Sequence, residues 1–132
     1  FKGRGPVDAS FSYIETWYQS VQAHHPAIQG LVLHNMFSED DEAKYSNDQI
    51  RFMRIPETHE GHQRGRNRPI NDMRFFVLES VLTNMPEHEL PEYVLISDSH
   101  DVTLLRNPFE YMIETDRLLL GENRLYIGEE SA

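Results

Sequence analysis

The sequence predicts an α/β fold with a mainly parallel sheet flanked by helices. Short apolar runs alternate along the chain with stretches whose apolar residues recur at helical spacing, the pattern typical of a parallel sheet with crossover helices. Hydrophobic residues make up 39% of the 132 residues and include seven Phe, six Tyr and one Trp, a globular composition. The length is that of one domain with a core of its own.

The first half of the chain supplies a helix, a strand and a second strand. From Ser10, a plausible N-cap, apolar residues fall on one helical face, and the helix should end before Pro26. Residues 28–35 are a short apolar run, which predicts a strand buried on both faces. Residues 38–49 are acidic and predict a solvated loop or short helix, whereas residues 50–55 predict a second strand. The helical face comprises Phe11, Ile14, Trp17, Tyr18 and Val21.

The clearest helix covers residues 71–85, with Asn71 as its N-cap and Pro86 ending it. Arg74 lies on the same face as the apolar residues of this helix. An Arg is costly to bury unpaired, so we expect it to emerge at a cleft. The alternative is that Arg74 extends to water or pairs with a carboxylate in the core. The apolar face comprises Val77, Leu78, Val81, Leu82 and Met85.

A third strand is predicted at residues 93–97, and it leads into Asp98-Ser99-His100-Asp101. In open α/β sheets ligands bind beyond the carboxyl ends of the strands. Two carboxylates there suit Mg²⁺ or Mn²⁺, and His100 is a candidate for a further Mn²⁺ ligand or for a hydrogen-bond partner. Asp and Ser are also ordinary turn residues, so a metal site and a plain turn both remain open. Residues 117–130 offer one or two further strands.

Charge and composition exclude several functions. The net charge of −10, from 22 acidic and 12 basic residues, disfavours nucleic acid as a partner. No apolar run approaches the roughly 20 residues of a membrane span. The absence of Cys excludes disulfides and thiolate metal sites.

Two polar groups lie in the segment before the clearest helix. A solvated loop and a binding site for a small anion are both open for Arg64, Arg66 and Arg68. A plain loop is predicted for His59 and His62, because a helical zinc motif needs two His on one helix, whereas a Gly lies between these two and no helix is evident.

Residues 93–112 (YVLISDSHDVTLLRNPFEYM) resemble the metal-binding segment of the GT-A glycosyltransferases, the nucleotide-diphospho-sugar transferases. In that family an apolar strand ends in an acidic DxD-type motif, followed by Val, further apolar residues and an Asn/Asp-Pro turn. Residues 71–82 are similar to the helix before the motif, residues 13–26 to the first helix, and residues 124–130 to a later strand. The matching positions of the motif segment are Asp98, Asp101, Val102, Leu104, Leu105, Asn107, Pro108 and Phe109.

The resemblance implies a Rossmann-like GT-A fold and transfer of a sugar from a nucleotide-diphosphate donor to a hydroxyl of a carbohydrate or glycoconjugate acceptor. It implies Mn²⁺ or Mg²⁺ held by Asp98 and Asp101, with Arg74 and Asp98 binding the donor. Asp101 is the firmer match. No catalytic residue is assigned, because paired acids at the end of a strand, such as Glu129 and Glu130, are usually solvated and a poor choice for the base.

Two departures from the family qualify this hypothesis. The acids are spaced D-x-x-D, with Ser99 where a strict alignment puts the first acid. The family's nucleotide-binding strand before the first helix and its acceptor-binding half have no obvious counterpart, so we expect the chain to be part of a longer catalytic domain. One alternative is a non-catalytic GT-A-like binding module, with Asp98 and Asp101 in a structural turn. A metal-dependent phosphohydrolase is a third possibility, for which no matching motif is found.

Overall fold

A computed structural model describes residues 11–55 and 70–119, with the side chains of 11–55 and 73–115. Two short 3₁₀ turns, Phe11–Tyr13 and Glu87–Glu89, accompany the regular elements. In chain order those elements are α1 (Glu15–Gln22), β1 (Gly30–His34), α2 (Glu39–Tyr45), β2 (Ile50–Arg54), α3 (Ile70–Asn84) and α4 (Pro108–Leu119).

The two strands form a parallel sheet, with Gly30 opposite Ile50 and His34 opposite Arg54. The predicted strands at 28–35 and 50–55 are therefore confirmed, and so is the coarse α/β class. Parallel strands end at the same edge of a sheet. His34 and Arg54 consequently lie together at the carboxyl edge of the pair.

The core forms where α1 packs against the two strands. The helical face predicted from the sequence is confirmed, because its four residues within or next to α1 are buried and Phe11 packs against them. Hydrophobic burial of this kind is the main driving force of folding, at about 25 cal/mol per Å² of apolar surface. The buried members are Ile14, Trp17, Tyr18, Val21, Ile28, Val32, Phe37 and Ile50.

Gln49 is a buried polar residue that joins α1 to the start of β1. Its side-chain amide donates to the carbonyl of Val21 at 2.8 Å and to that of Ile28 at 2.9 Å. Its backbone carbonyl accepts from the N–H of Gly30, the first residue of β1. Gln49 was predicted to lie in a solvated segment, and that prediction is wrong for this residue, which is 7% exposed.

The acidic segment folds as the short helix α2. Ser38 caps it, its hydroxyl accepting from the backbone N–H of Asp41 at 3.1 Å. All four acids of the first turn (Glu39, Asp40, Asp41 and Glu42) lie at the helix N-terminus, where the helix dipole favours negative charge. Their placement therefore has a local structural reason.

Two predictions for α3 and its neighbourhood need correction. The helix begins at Ile70, so Asn71 lies within it and does not cap it, although the helix does end before Pro86. Residues 93–97 do not form a strand. Their apolar side chains are 41–49% exposed at Val94, Leu95 and Ile96. An apolar run predicts a buried strand, but a strand also needs a partner for its backbone groups, and the described part of the sheet supplies none at this position.

The structure covers only part of the segment 117–130, for which one or two strands were predicted. Residues 117–119, predicted as strand, belong to α4, and residues 120–130 lie outside the described part. Asn107 lies just before α4 and caps it, because its side-chain oxygen accepts from the N–H of Phe109 at 2.9 Å while Pro108 occupies the first helical position.

Across the described residues, each helix falls short of the length and apolarity that crossing a membrane requires.

Candidate functional site

The turn at residues 98–101 is attached to α3 through an ion pair. Nη1 of Arg74 lies 2.7 Å from Oδ1 of Asp98, with the two side chains 33% and 63% exposed. Arg74 therefore pairs with a carboxylate at the surface, whereas the alternative stated from the sequence was a carboxylate in the core. An exposed pair of this kind contributes about 0.2–1 kcal/mol to stability.

The same turn is attached to the segment before α1 through His100. The ring of His100 stacks on that of Tyr13, with centroids 4.0 Å apart and planes inclined by 10°. Its Nδ1 lies 3.2 Å from the backbone oxygen of Tyr13. Because a carbonyl oxygen only accepts hydrogen bonds, Nδ1 donates in this contact. His100 therefore has a hydrogen-bond partner in the backbone, and its role as a metal ligand stays a prediction.

Backbone bonds of Leu104 hold the chain that follows the turn against α1. The N–H of Leu104 donates to the hydroxyl of Ser20 at 3.0 Å, and its carbonyl lies 3.3 Å from Nε2 of His24. The hydroxyl of Ser20 itself donates to the carbonyl of Trp17 at 2.7 Å. Val102 and Leu104 also pack against the core. The turn is thus positioned by side-chain contacts to α1 and α3, whereas the sequence predicted that a sheet strand would position it.

The two carboxylates of the turn are exposed and offer part of a metal shell. Asp98 has one oxygen engaged by Arg74, and the exposed Asp101 follows His100 directly. Within residues 11–55 and 73–115, no three His, Asp or Glu side chains are grouped so that they would hold a metal ion by themselves. Mg²⁺ is commonly bound by one or two carboxylates together with substrate phosphates and water. Two exposed carboxylates would supply only part of such a ligand set.

A second titratable cluster, which the sequence did not point to, lies at the carboxyl edge of the sheet. Nδ1 of the buried His34 accepts from the N–H of Phe37 at 3.2 Å, so the neutral ring carries its proton on Nε2. Nε2 faces Oε1 of Glu42 at 2.6 Å, and Nε of Arg54 lies 3.9 Å from the same oxygen. Burial lowers the pKa of His34 from 6.5; Glu42 opposes this shift and Arg54 adds to it.

The lowered pKa of His34 predicts a specific loss of stability in acid. Below pH 6.5 the unfolded chain takes up a proton at this position before the folded protein does. The free energy of unfolding therefore falls with pH, by at most about 1.4 kcal/mol per pH unit from this residue, until the folded-state pKa is passed. The stability contribution is fully present above the unfolded-state pKa.

The measurement is urea unfolding at pH 7.5, 6.5 and 5.5 of the wild type and of His34→Gln. We expect the stability difference between the two to narrow as the pH falls. His88, whose side chain is 80% exposed, provides the control substitution His88→Gln, which should change the free energy of unfolding by no more than about 0.5 kcal/mol. A difference that stays constant or widens in acid would show that His34 is not held neutral.

Several candidate residues lie outside the described part of the chain. These are the arginine group, the histidine pair and the two C-terminal acids, namely Arg64, Arg66, Arg68, His59, His62, Glu129 and Glu130.

Comparison of the chain with protein-family models, with curated proteins and with solved structures found no match. The functional interpretation therefore depends on the residues of the chain itself.

Proposed function

We propose that this protein is, or is part of, a glycosyltransferase that moves a sugar from a nucleotide-diphosphate donor to an acceptor hydroxyl with the help of Mn²⁺ or Mg²⁺. The observation that carries the proposal is the contact between Arg74 and Asp98 at 2.7 Å. The two residues are 24 positions apart and belong to two different stretches that resemble the GT-A family. Each was expected to bind the donor, and a shared donor site requires them to be neighbours.

Asp101 and Asp98 are the proposed metal ligands. Arg74 already neutralises part of the charge on Asp98, so Asp101 keeps the stronger attraction for a cation. Both carboxylates would hold the divalent ion, whose positive charge would offset the negative charge that develops on the leaving nucleotide.

Arg74 is proposed to orient a phosphate oxygen or the sugar of the donor. A guanidinium carries five N–H donors in a planar fork, and one of its nitrogens already contacts Asp98. The remaining donors can serve an anion bound beside that carboxylate. The Arg74–Asp98 pair thus links the phosphate-binding group to the metal-binding group. A carbohydrate or glycoconjugate is the proposed acceptor, and no catalytic base is assigned.

The proposal is tested by calorimetric titration of UDP, and separately of GDP, into the purified protein. Each titration is run with Mn²⁺ and repeated with EDTA in its place. We expect one nucleotide to bind only when the metal is present, and the preferred base then identifies the class of donor. Failure of both nucleotides to bind with Mn²⁺, in this chain and in any longer natural chain that contains it, would contradict the proposal.

A non-catalytic binding module is the second candidate, and the exposed apolar residues Val94, Leu95 and Ile96 favour it. Neighbouring exposed apolar side chains commonly mark surfaces that bind another protein. Partner binding of this kind would persist after loss of Asp98 and Asp101, whereas metal-dependent nucleotide binding would not. The two candidates therefore differ in a property that substitution can measure.

A further inference from the structure

The contact between His100 and Tyr13 restrains the acidic turn in two independent ways. Ring stacking at 4.0 Å fixes the plane of the imidazole, and the Nδ1 contact at 3.2 Å to the Tyr13 carbonyl fixes its rotation within that plane. The contact spans 87 positions of sequence. Neither ring is buried, since Tyr13 is 40% exposed and His100 is also exposed. The contribution of the contact to the core is therefore small.

The turn consequently has one attachment on each side of Ser99. Arg74 of α3 holds Asp98, and Tyr13, just before α1, holds His100. Asp101 is covalently next to His100, so the position of its carboxylate relative to Asp98 depends on both attachments. Loss of the His100 attachment would leave Asp101 free to move between Asp98 and the next fixed point, the backbone of Leu104.

We propose that His100 is a positioning residue that restrains Asp101 within the turn so that Asp101 and Asp98 can contact one divalent ion, with Tyr13 as its support. The inference rests on the proposed function, because it takes these two aspartates as metal ligands. Outer-shell partners of metal ligands typically change metal affinity 10- to 100-fold when they are removed. A group that orients a ligand through one hydrogen bond and one ring contact belongs at the lower end of that range.

The test compares the affinity for Mn²⁺ with UDP among three variants. His100→Phe keeps an aromatic ring and removes the Nδ1 donor, and Tyr13→Ala removes the stacking surface while keeping the backbone carbonyl. We expect each to weaken binding about tenfold, with an unchanged thermal unfolding midpoint. Tyr13→Phe keeps both the ring and the carbonyl and is the matched control, which should bind as the wild type does. A purely structural role would lower the midpoint and leave the affinity of the folded protein unchanged.

A second readout does not require the nucleotide. Nitrogen chemical shifts of the imidazole should show the proton of neutral His100 on Nδ1 in the wild type, and also in Tyr13→Phe, which keeps the ring and the backbone carbonyl. Wild-type affinity in His100→Phe, or a proton on Nε2, would overturn the inference while leaving the proposed function intact. Absence of metal-dependent binding in the wild type would instead overturn the proposed function, and this inference with it.

Discussion

Replacing Asp101 by Asn is expected to lower the affinity for Mn²⁺ with nucleotide by on the order of 100-fold, equivalent to about 2.8 kcal/mol. The amide keeps the shape of the side chain but removes the negative charge that attracts the ion. Asp101 is exposed and lies in a turn outside the regular elements, so the unfolding midpoint should not change. The measurement is the same calorimetric titration, performed on the wild type and on Asp101→Asn.

The control for this substitution is Asp40→Asn. Asp40 is also an exposed acid, but it lies in the first turn of α2, where the helix N-terminus accounts for it. Its replacement removes one negative charge and should leave nucleotide affinity within about twofold of the wild type. Equal losses in the two variants would mean that net charge, and not a site at Asp101, attracts the metal–nucleotide complex. Unchanged affinity in Asp101→Asn would contradict the assignment of the metal to this turn.

Replacing Gln49 by Met is expected to lower the free energy of unfolding by about 2–3 kcal/mol. Met has a similar shape and fills the same space, but it cannot donate the two hydrogen bonds to Val21 and Ile28. Each lost bond removes about 0.5–1.5 kcal/mol, and a buried carbonyl without a partner costs a further 1–3 kcal/mol. The carbonyl of Val21 also accepts from the N–H of His24, so the larger part of the loss falls on Ile28.

Urea unfolding measures this loss, with Gln19→Met as the matched control. Gln19 lies on the exposed side of α1, where its amide contacts Glu15 at 3.4 Å. Its replacement should change the free energy of unfolding by no more than about 0.5 kcal/mol. A similarly small change in Gln49→Met would show that the two carbonyls find other partners, and that Gln49 does not hold α1 to the start of β1.

The amphipathic face of α1 and the two apolar strands could be predicted because hydrophobic spacing reports directly on burial. Gln49 and His34 could not, because spacing does not reveal which polar side chain will find partners inside. Gln49 immediately precedes the apolar strand β2, and His34 is the last residue of β1. A polar residue at the border of a buried strand was the only signal that the sequence contained.

The acidic turn at residues 98–101 illustrates a different limit of prediction from sequence. Its residues were identified from the resemblance; Arg74 and Asp98 are neighbours in the structure, and their shared role in donor binding stays a prediction. The support of the turn was predicted incorrectly, because residues 93–97 do not form a strand and Val94, Leu95 and Ile96 are exposed. The contact of His100 with Tyr13 joins positions 87 residues apart, and no local pattern encodes such a pairing.

Paramagnetic broadening by Mn²⁺ would locate the metal without assuming any ligand. The experiment adds substoichiometric Mn²⁺ with UDP or GDP to ¹⁵N-labelled protein and follows the backbone amide signals. Residues 98–102 should broaden first, ahead of the acidic first turn of α2, which serves as an internal comparison within the same sample. Broadening that begins at residues 39–42, or that affects the chain uniformly, would contradict a metal site at Asp98 and Asp101.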